Sequence, residues 1–280
     1  MISQTPTVRS LIFIDVARVE ETSKGNHMTI AVLLKQVPDT TAKITVNGGR
    51  VDENAVSKWS FSPYDEYALE AALQVKESAG GELVAITAGP ARCEKLLRDA
   101  AAVGADNLVH VSVENINDLD STHVQNLLAA AIQKSGASVI FCGKQAADTN
   151  AGSTGPGVAE IIGASSVTLV SEVSSDGGEF TATRPSSAGH EKVAVSAPCV
   201  FAFDKGVTEM RRPNVRGIMM AKKKTIETWT VEDLGVDISG TGVRINSHSP
   251  PAEKPPGQKF EGAESVSTVV SKLRDEANVI

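Results

Sequence analysis

The residues best placed to do chemistry lie in one polar stretch, Gly143-Lys144-Gln145-Ala146-Ala147-Asp148-Thr149-Asn150-Ala151-Gly152-Ser153-Thr154-Gly155-Pro156, which follows an apolar run and leads into a helical pattern. Asp148, Thr149, Asn150, Ser153 and Thr154 bring hydroxyl, carboxylate and carboxamide groups, and the glycines let backbone N–H groups approach a phosphate. A strand-to-helix connection also needs small polar residues merely to turn, so spacing alone leaves a ligand loop and a plain turn both open. The Gly-Lys-Ser/Thr ending of a Walker loop is missing, which sets that type of NTP hydrolysis aside. Leu34-Lys35-Gln36 and Ala88-Gly89-Pro90 close two earlier apolar runs and would lie beside the loop in a parallel sheet. Three strand ends meeting at one crevice favour a nucleotide more than any one of them does.

A second stretch, residues 211–224, carries Arg211, Arg212, Arg216, Lys222, Lys223 and Lys224 on a chain whose net charge is -7. That acidic balance argues against nucleic acid as a partner. Blocks of like charge are usually solvated faces. Here Val215, Ile218, Met219 and Met220 stand among the cations, a mixture that suits transient docking, where charge steers and a small apolar contact holds. Asp65, Glu66, Glu70 and Glu77 read as the polar, solvated face of one helix rather than as an acid/base pair.

Other chemistries find little support. Cys93, Cys142 and Cys199 stand far apart without CxxC spacing, as buried thiols of a reducing compartment would. The five histidines are scattered, with no pair at zinc spacing, so no metal ligands are assigned. No Ser-His-Asp or Cys-His pattern stands out, and no catalytic residue is assigned. No apolar run is long enough for a membrane span. In residues 1–27, Leu11-Ile12-Phe13-Ile14 is broken by Asp15 and followed by Glu20 and Glu21, which fits neither a secretory signal nor a transit peptide; the expectation is a poorly ordered extension.

The elements that must position these residues follow from periodicity. Apolar runs at 30–34, 83–87, 108–111 and 139–142 alternate with amphipathic stretches, giving an α/β, Rossmann-like parallel sheet with helices on both faces. Ser62-Pro63-Tyr64-Asp65 opens the first helix, with Ser as cap and Pro in the first turn. Asn47-Gly48-Gly49 centres a small hairpin. After Gly163 come short Val/Thr/Ser-rich runs at 167–173, 179–184, 191–195 and 199–203, a β-rich later segment with a turn at Asp176-Gly177-Gly178. Beyond Gly235 an extended, Pro-rich C-terminal arm ends in an amphipathic helix at 266–273, too poor in apolar surface to fold alone. The expected division is an extension at 1–27, a nucleotide-binding α/β domain at 28–235 and an arm at 236–280.

From Met28 to about Asp237 the chain resembles the β subunit of electron-transfer flavoproteins. The resemblance is carried by residues 35–40, Ser62-Pro63-Tyr64-Asp65-Glu66, Gly89-Pro90, Gly104-Ala105-Asp106, Gly143-Lys144-Gln145-Ala146, Ser153-Thr154-Gly155, residues 211–227 and Asp233-Leu234-Gly235-Val236-Asp237. It implies a cytoplasmic electron-carrier subunit rather than an enzyme, paired with an α subunit that holds most of a redox-active FAD. Thr40 and Tyr64 match flavin-facing positions. Ala31, Leu33, Lys35, Ala88, Gly89, Asp148, Asn150, Ser153, Thr154 and Gly155 match positions around a buried AMP. Residues 211–217, with Arg211, Arg212, Val215 and Arg216, match the loop that docks on acyl-CoA dehydrogenase-type flavoenzymes; electrons then pass to an ETF:quinone oxidoreductase-type acceptor. Val215 stands where well-known members carry an anchoring leucine. Flavin-bifurcating members read Asp-Gly-Asp-Thr-Ala-Gln-Val-Gly-Pro in the nucleotide loop; this chain keeps only the leading Asp148 and the final Gly155-Pro156, which favours AMP over a second FAD. A stand-alone adenine-nucleotide-binding protein is the competing class.

Overall fold

The computed structural model describes residues 28–240, 242–253 and 256–280; the extension expected over residues 1–27 lies outside them. Along the chain run β1 (Thr29–Leu33), β2 (Gln36–Pro38), β3 (Val46–Asn47), β4 (Arg50–Val51), β5 (Trp59–Phe61), α1 (Pro63–Ala79), β6 (Glu82–Gly89), α2 (Glu94–Val103), β7 (Asn107–Ser112), α3 (Ser121–Ser135) and β8 (Val139–Gly143). Then follow α4 (Thr154–Ile162), β9 (Ser165–Val170), β10 (Glu172–Asp176), β11 (Glu179–Ser186), β12 (Gly189–Ser196), β13 (Cys199–Phe203), α5 (Val215–Ala221), β14 (Glu227–Trp229), α6 (Val231–Leu234) and α7 (Val266–Asp275).

Seven strands form one sheet in the order β14-β7-β6-β1-β8-β13-β9, every neighbouring pair parallel. The chain builds outward from β1 to β6 and β7, then returns to place β8 on the other side. Such a reversal opens a crevice at the carboxyl ends of β1 and β8. Side chains alternate across β1: Ile30 and Val32 face α1 and α2, whereas Ala31 and Leu33 join the apolar layer of α3 and α4. Being buried on both faces, these strands read as continuous apolar runs. The expected fold class is what the structure shows.

Three antiparallel strands, β10-β11-β12, pack on the α1 side, where Val173, Phe180 and Ala182 are buried against the main core. Phe180 meets Phe201 edge-on, with centroids 6.0 Å apart. The run expected at 167–173 is in fact two strands with different roles. β9 is the parallel edge of the main sheet and ends where Leu169 takes a left-handed φ of 58° beside a register shift at Ala202 and Phe203. The next strand, β10, belongs to the antiparallel sheet.

Two compact units emerge: residues 28–42 with Lys58–Arg244, and Lys43–Ser57 with Ile245–Ile280. The second contains the β3–β4 hairpin and α7, and His248 donates its backbone N–H to the Gly49 carbonyl at 2.8 Å.

Candidate functional site

The crevice is assembled by the first turn of α1. Ser62 precedes Pro63 as the cap residue, but its hydroxyl makes no capping bond and instead donates to the Gln145 carbonyl at 3.4 Å. The Ser62 N–H donates to the Lys35 carbonyl at 3.0 Å. Asp65, expected on a solvated face, is buried at the switch point: the Lys35 N–H donates to its Oδ2 at 2.7 Å and the Gly143 N–H to its Oδ1 at 3.0 Å. One carboxylate therefore joins the ends of β1 and β8. Burial pushes its carboxyl up to about 7, against the pull of the two amides and the Lys35 charge. Gly143 must lack a side chain, because a Cβ there would strike the Asp65 carboxylate and lie 2.8 Å from the Tyr64 Cβ.

Around this knot lies the polar stretch. Lys35 reaches across to Asp148, Nζ to Oδ2 2.8 Å, closing β1 against the loop after β8. Asn150 takes a left-handed φ of 52° and accepts a bond from Gln145 Nε2 at 2.9 Å. Ser153 caps α4 without a side-chain bond, while Gln125 of α3 donates to its carbonyl at 3.0 Å. The amides opening α4 are thus left without a side-chain cap, in keeping with an anionic group at that end. Thr154 and Gly155 begin the helix, and Gly155 lies so close to β8 and β13 that a Cβ would sit 2.9 Å from Cys142 Sγ. Ala31 and Leu33 are buried in the apolar layer beneath, with Ile140, Val158 and Ala159. Ala88 and Gly89 end β6 on the other side of β1; the Gly89 carbonyl lies 2.8 Å from His110 Nε2.

Tyr64 is half-buried in the same α1 turn, and Lys144 Nζ stands 4.8 Å from its ring centroid. Asp204 holds that ammonium at 2.9 Å and raises its pKa. Thr40 is exposed, two residues beyond the β2–β5 ribbon. The sequence places Asp65 at the helix start and on a solvated face and does not single out Gln125 or Asp204; the available cue for Asp65 is an acid in the first turn directly after Ser-Pro-Tyr.

The basic segment divides in two. Val215, Ile218, Met219 and Met220 are exposed on α5, flanked by exposed Arg212, Arg216, Lys222 and Lys223. Arg211 is turned inward onto Glu70 and Glu77. Glu70, like Asp65, is buried rather than solvated. The third lysine, Lys224, donates to the Ala105 and Asp106 carbonyls at 2.6 and 2.7 Å, and Arg98 donates to those of Ala221 and Lys224. Gly217 permits this docking: a Cβ there would run into the Ala102 carbonyl.

Among the described residues no group of His, Cys, Asp and Glu gathers to hold a metal, all three cysteines are buried, and no helix is long and apolar enough to cross a membrane. A parallel sheet covered on both faces, with polar groups gathered at the switch point between β1 and β8, defines a Rossmann-like α/β protein. The family profile of the electron transfer flavoprotein domain matches residues 51–234. Electron transfer flavoprotein subunit beta of Bacillus subtilis is 32% identical over 258 residues, covering 90% of this chain and all of that protein. The mitochondrial subunit beta of Arabidopsis thaliana is 34% identical over 257 residues, with 90% and 100% covered, and that of Bos taurus 33% over 251, with 87% and 96% covered. The chain belongs to the electron transfer flavoprotein β-subunit family.

Proposed function

We propose that this chain pairs with an electron transfer flavoprotein α subunit and covers one side of an FAD held mainly by that partner. The match to β subunits along nearly the whole chain is the observation that carries this reading. The flavin supplies the redox chemistry; the chain's own residues position, shield and recognise. In this reading Tyr64, backed by Lys144, and Thr40 face the flavin. The stripe Val266, Val270 and Leu273 on α7, exposed in the chain alone, supports packing of residues 236–280 on the α subunit, as an arm distinct from a domain at 28–235.

In the same reading the crevice takes an AMP. Lys35 already neutralises Asp148, so a phosphate would meet Asn150, Ser153, Thr154, Gly155 and the uncapped amides of α4 without facing a lone carboxylate. The ends of β1 and β6, which carry Ala31, Leu33, Ala88 and Gly89, would border the adenosine. Val215 with Arg212 and Arg216 presents a surface for an acyl-CoA dehydrogenase-type donor, with a quinone-reductase-type acceptor downstream, in the cytoplasm.

Co-expression with an α-type chain and purification through a tag on one subunit tests the reading. A yellow, reducible complex that releases FAD and AMP in equal amounts on denaturation is expected. Two FAD and no AMP would replace the nucleotide assignment with a second flavin. Failure to form a coloured complex, with ATP turnover by this chain alone, would overturn the carrier role.

A further inference from the structure

Between the end of β13 at Phe203 and the start of α5 at Val215 the chain has no regular structure. Its front half is tied by two backbone bonds, Asp204 N–H to the Val170 carbonyl at 2.9 Å and Val207 N–H to the Ser171 carbonyl at 3.1 Å. Its rear half is tied through Arg211. That residue gives Glu70 its backbone N–H at 3.0 Å, its Nε at 3.0 Å and its Nη2 at 2.9 Å, while Glu77 takes Nη1 and Nη2. Gln74 donates to the same Glu70 carboxylate at 3.1 Å. The Glu70 side chain is only 5% exposed. Burial resists its ionisation, but the Arg211 and Gln74 bonds outweigh that and hold its carboxyl below the usual range.

Burying the Glu70 carboxylate is a poor way to gain stability, even beside a half-exposed Arg211, because apolar residues of similar volume serve as well or better. Its use is geometric: a guanidinium fork meets a carboxylate in one orientation. Three residues beyond Arg211, Asn214 caps α5 by accepting the Gly217 N–H at 2.7 Å, and the exposed face of Val215, Met219 and Met220 begins. Glu70 is on the helix that opens with Tyr64 and Asp65, so the clamp ties α5 to the same rigid element as the crevice.

We propose that Glu70 is a positioning residue for partner docking: through Arg211 it sets the place of α5 relative to α1. This rests on reading α5 and its flanks as the docking surface. Arg211 then acts as the strut of that surface, and Arg212 and Arg216 carry the steering charge.

The test uses the complex with the α subunit, an acyl-CoA dehydrogenase as electron donor, and hydrogen–deuterium exchange. In Glu70→Gln, KM for the dehydrogenase is expected to rise about fivefold or more with kcat within about twofold, since bound geometry is recovered only at higher partner concentration. Amides of residues 208–214 should exchange about tenfold faster while those of α1 stay protected. Arg211→Lys, which keeps the charge but loses the fork, should move both readouts the same way and serves if Glu70→Gln folds poorly. An active wild type with an unchanged KM in both variants would overturn the role of Glu70, even if the melting temperature fell. A wild-type complex that takes no electrons from the dehydrogenase would overturn the docking reading itself and this role with it.

Discussion

The crevice and the basic segment both leave the main sheet at the carboxyl end of a strand, yet they handle charge in opposite ways. In the crevice, a buried carboxylate is satisfied by backbone amides, and Asp148 of the loop pairs with Lys35. In the basic segment, charged side chains hold the chain down at both ends, on Glu70 and on the carbonyls that follow α2, and an apolar helix face stays outward. One region fixes the ends of two strands through a buried acid. The other fixes both ends of a segment whose apolar helix face is exposed.

The contrast breaks most severely at Asp65. Asp65→Asn turns an amide N–H₂ toward one of two inward-pointing backbone N–H groups, and a buried donor left unmet costs about 1–3 kcal/mol; the expected loss lies at the upper end, read by denaturant unfolding. The size should depend on pH. Burial holds the folded-state carboxyl at about 7, against an ordinary value of 3.8. Between those values the folded chain keeps a proton that the unfolded chain releases, so the stability Asp65 contributes is full below about 4 and is lost as pH rises through about 7. The gap between wild type and Asp65→Asn should narrow from pH 5 to pH 8. A gap that widens over that range would mean that the amide bonds, not burial, set the protonation of Asp65.

A smaller effect separates residues inside the cationic tract. Lys224→Met keeps the apolar stem but removes the ammonium from two carbonyls, for an expected loss of about 1–2 kcal/mol. Lys222→Met and Lys223→Met, both exposed, should stay within about 0.5 kcal/mol. Equal losses at all three would dissolve the distinction between an anchoring lysine and a solvated rim.

These predictions fall on residues whose type was legible in the sequence and whose surroundings were not. Apolar runs located β1, β6, β7, β8 and β13 because a doubly covered strand has no polar alternation to confuse it, and Gly80 and Gly136 marked helix ends. The amphipathic stretch between the second and third apolar runs is α2, which buries Leu96, Leu97, Ala100 and Ala101 on one stripe. Asp65 and Glu70 read as solvated from the sequence because a helical period does not report what packs against the helix from elsewhere in the chain. Their partners, Gly143 and Arg211, lie 78 and 141 residues further along the chain. For the same reason β9 was merged with β10, and β14 and α5 went unseen: short elements are fixed by neighbours remote in sequence, not by their own pattern.

An equally small effect on folding is expected at Val215, and it sharpens the comparison most. Val215 is 76% exposed and opens α5, so Val215→Asp removes little buried surface and adds a negative charge at a helix N-terminus, where the dipole tolerates it. Unfolding free energy should change by less than about 0.5 kcal/mol. If the outward apolar face docks on a dehydrogenase, the same change should slow electron exchange at least about tenfold, as loss of a central anchor does, while flavin content stays normal. The two readouts are to be taken on one preparation of the complex. A lowered melting temperature with an unchanged rate would mean that α5 belongs to the packed interior in solution, and the division between a crevice for a ligand and a held-out surface for a protein would fall.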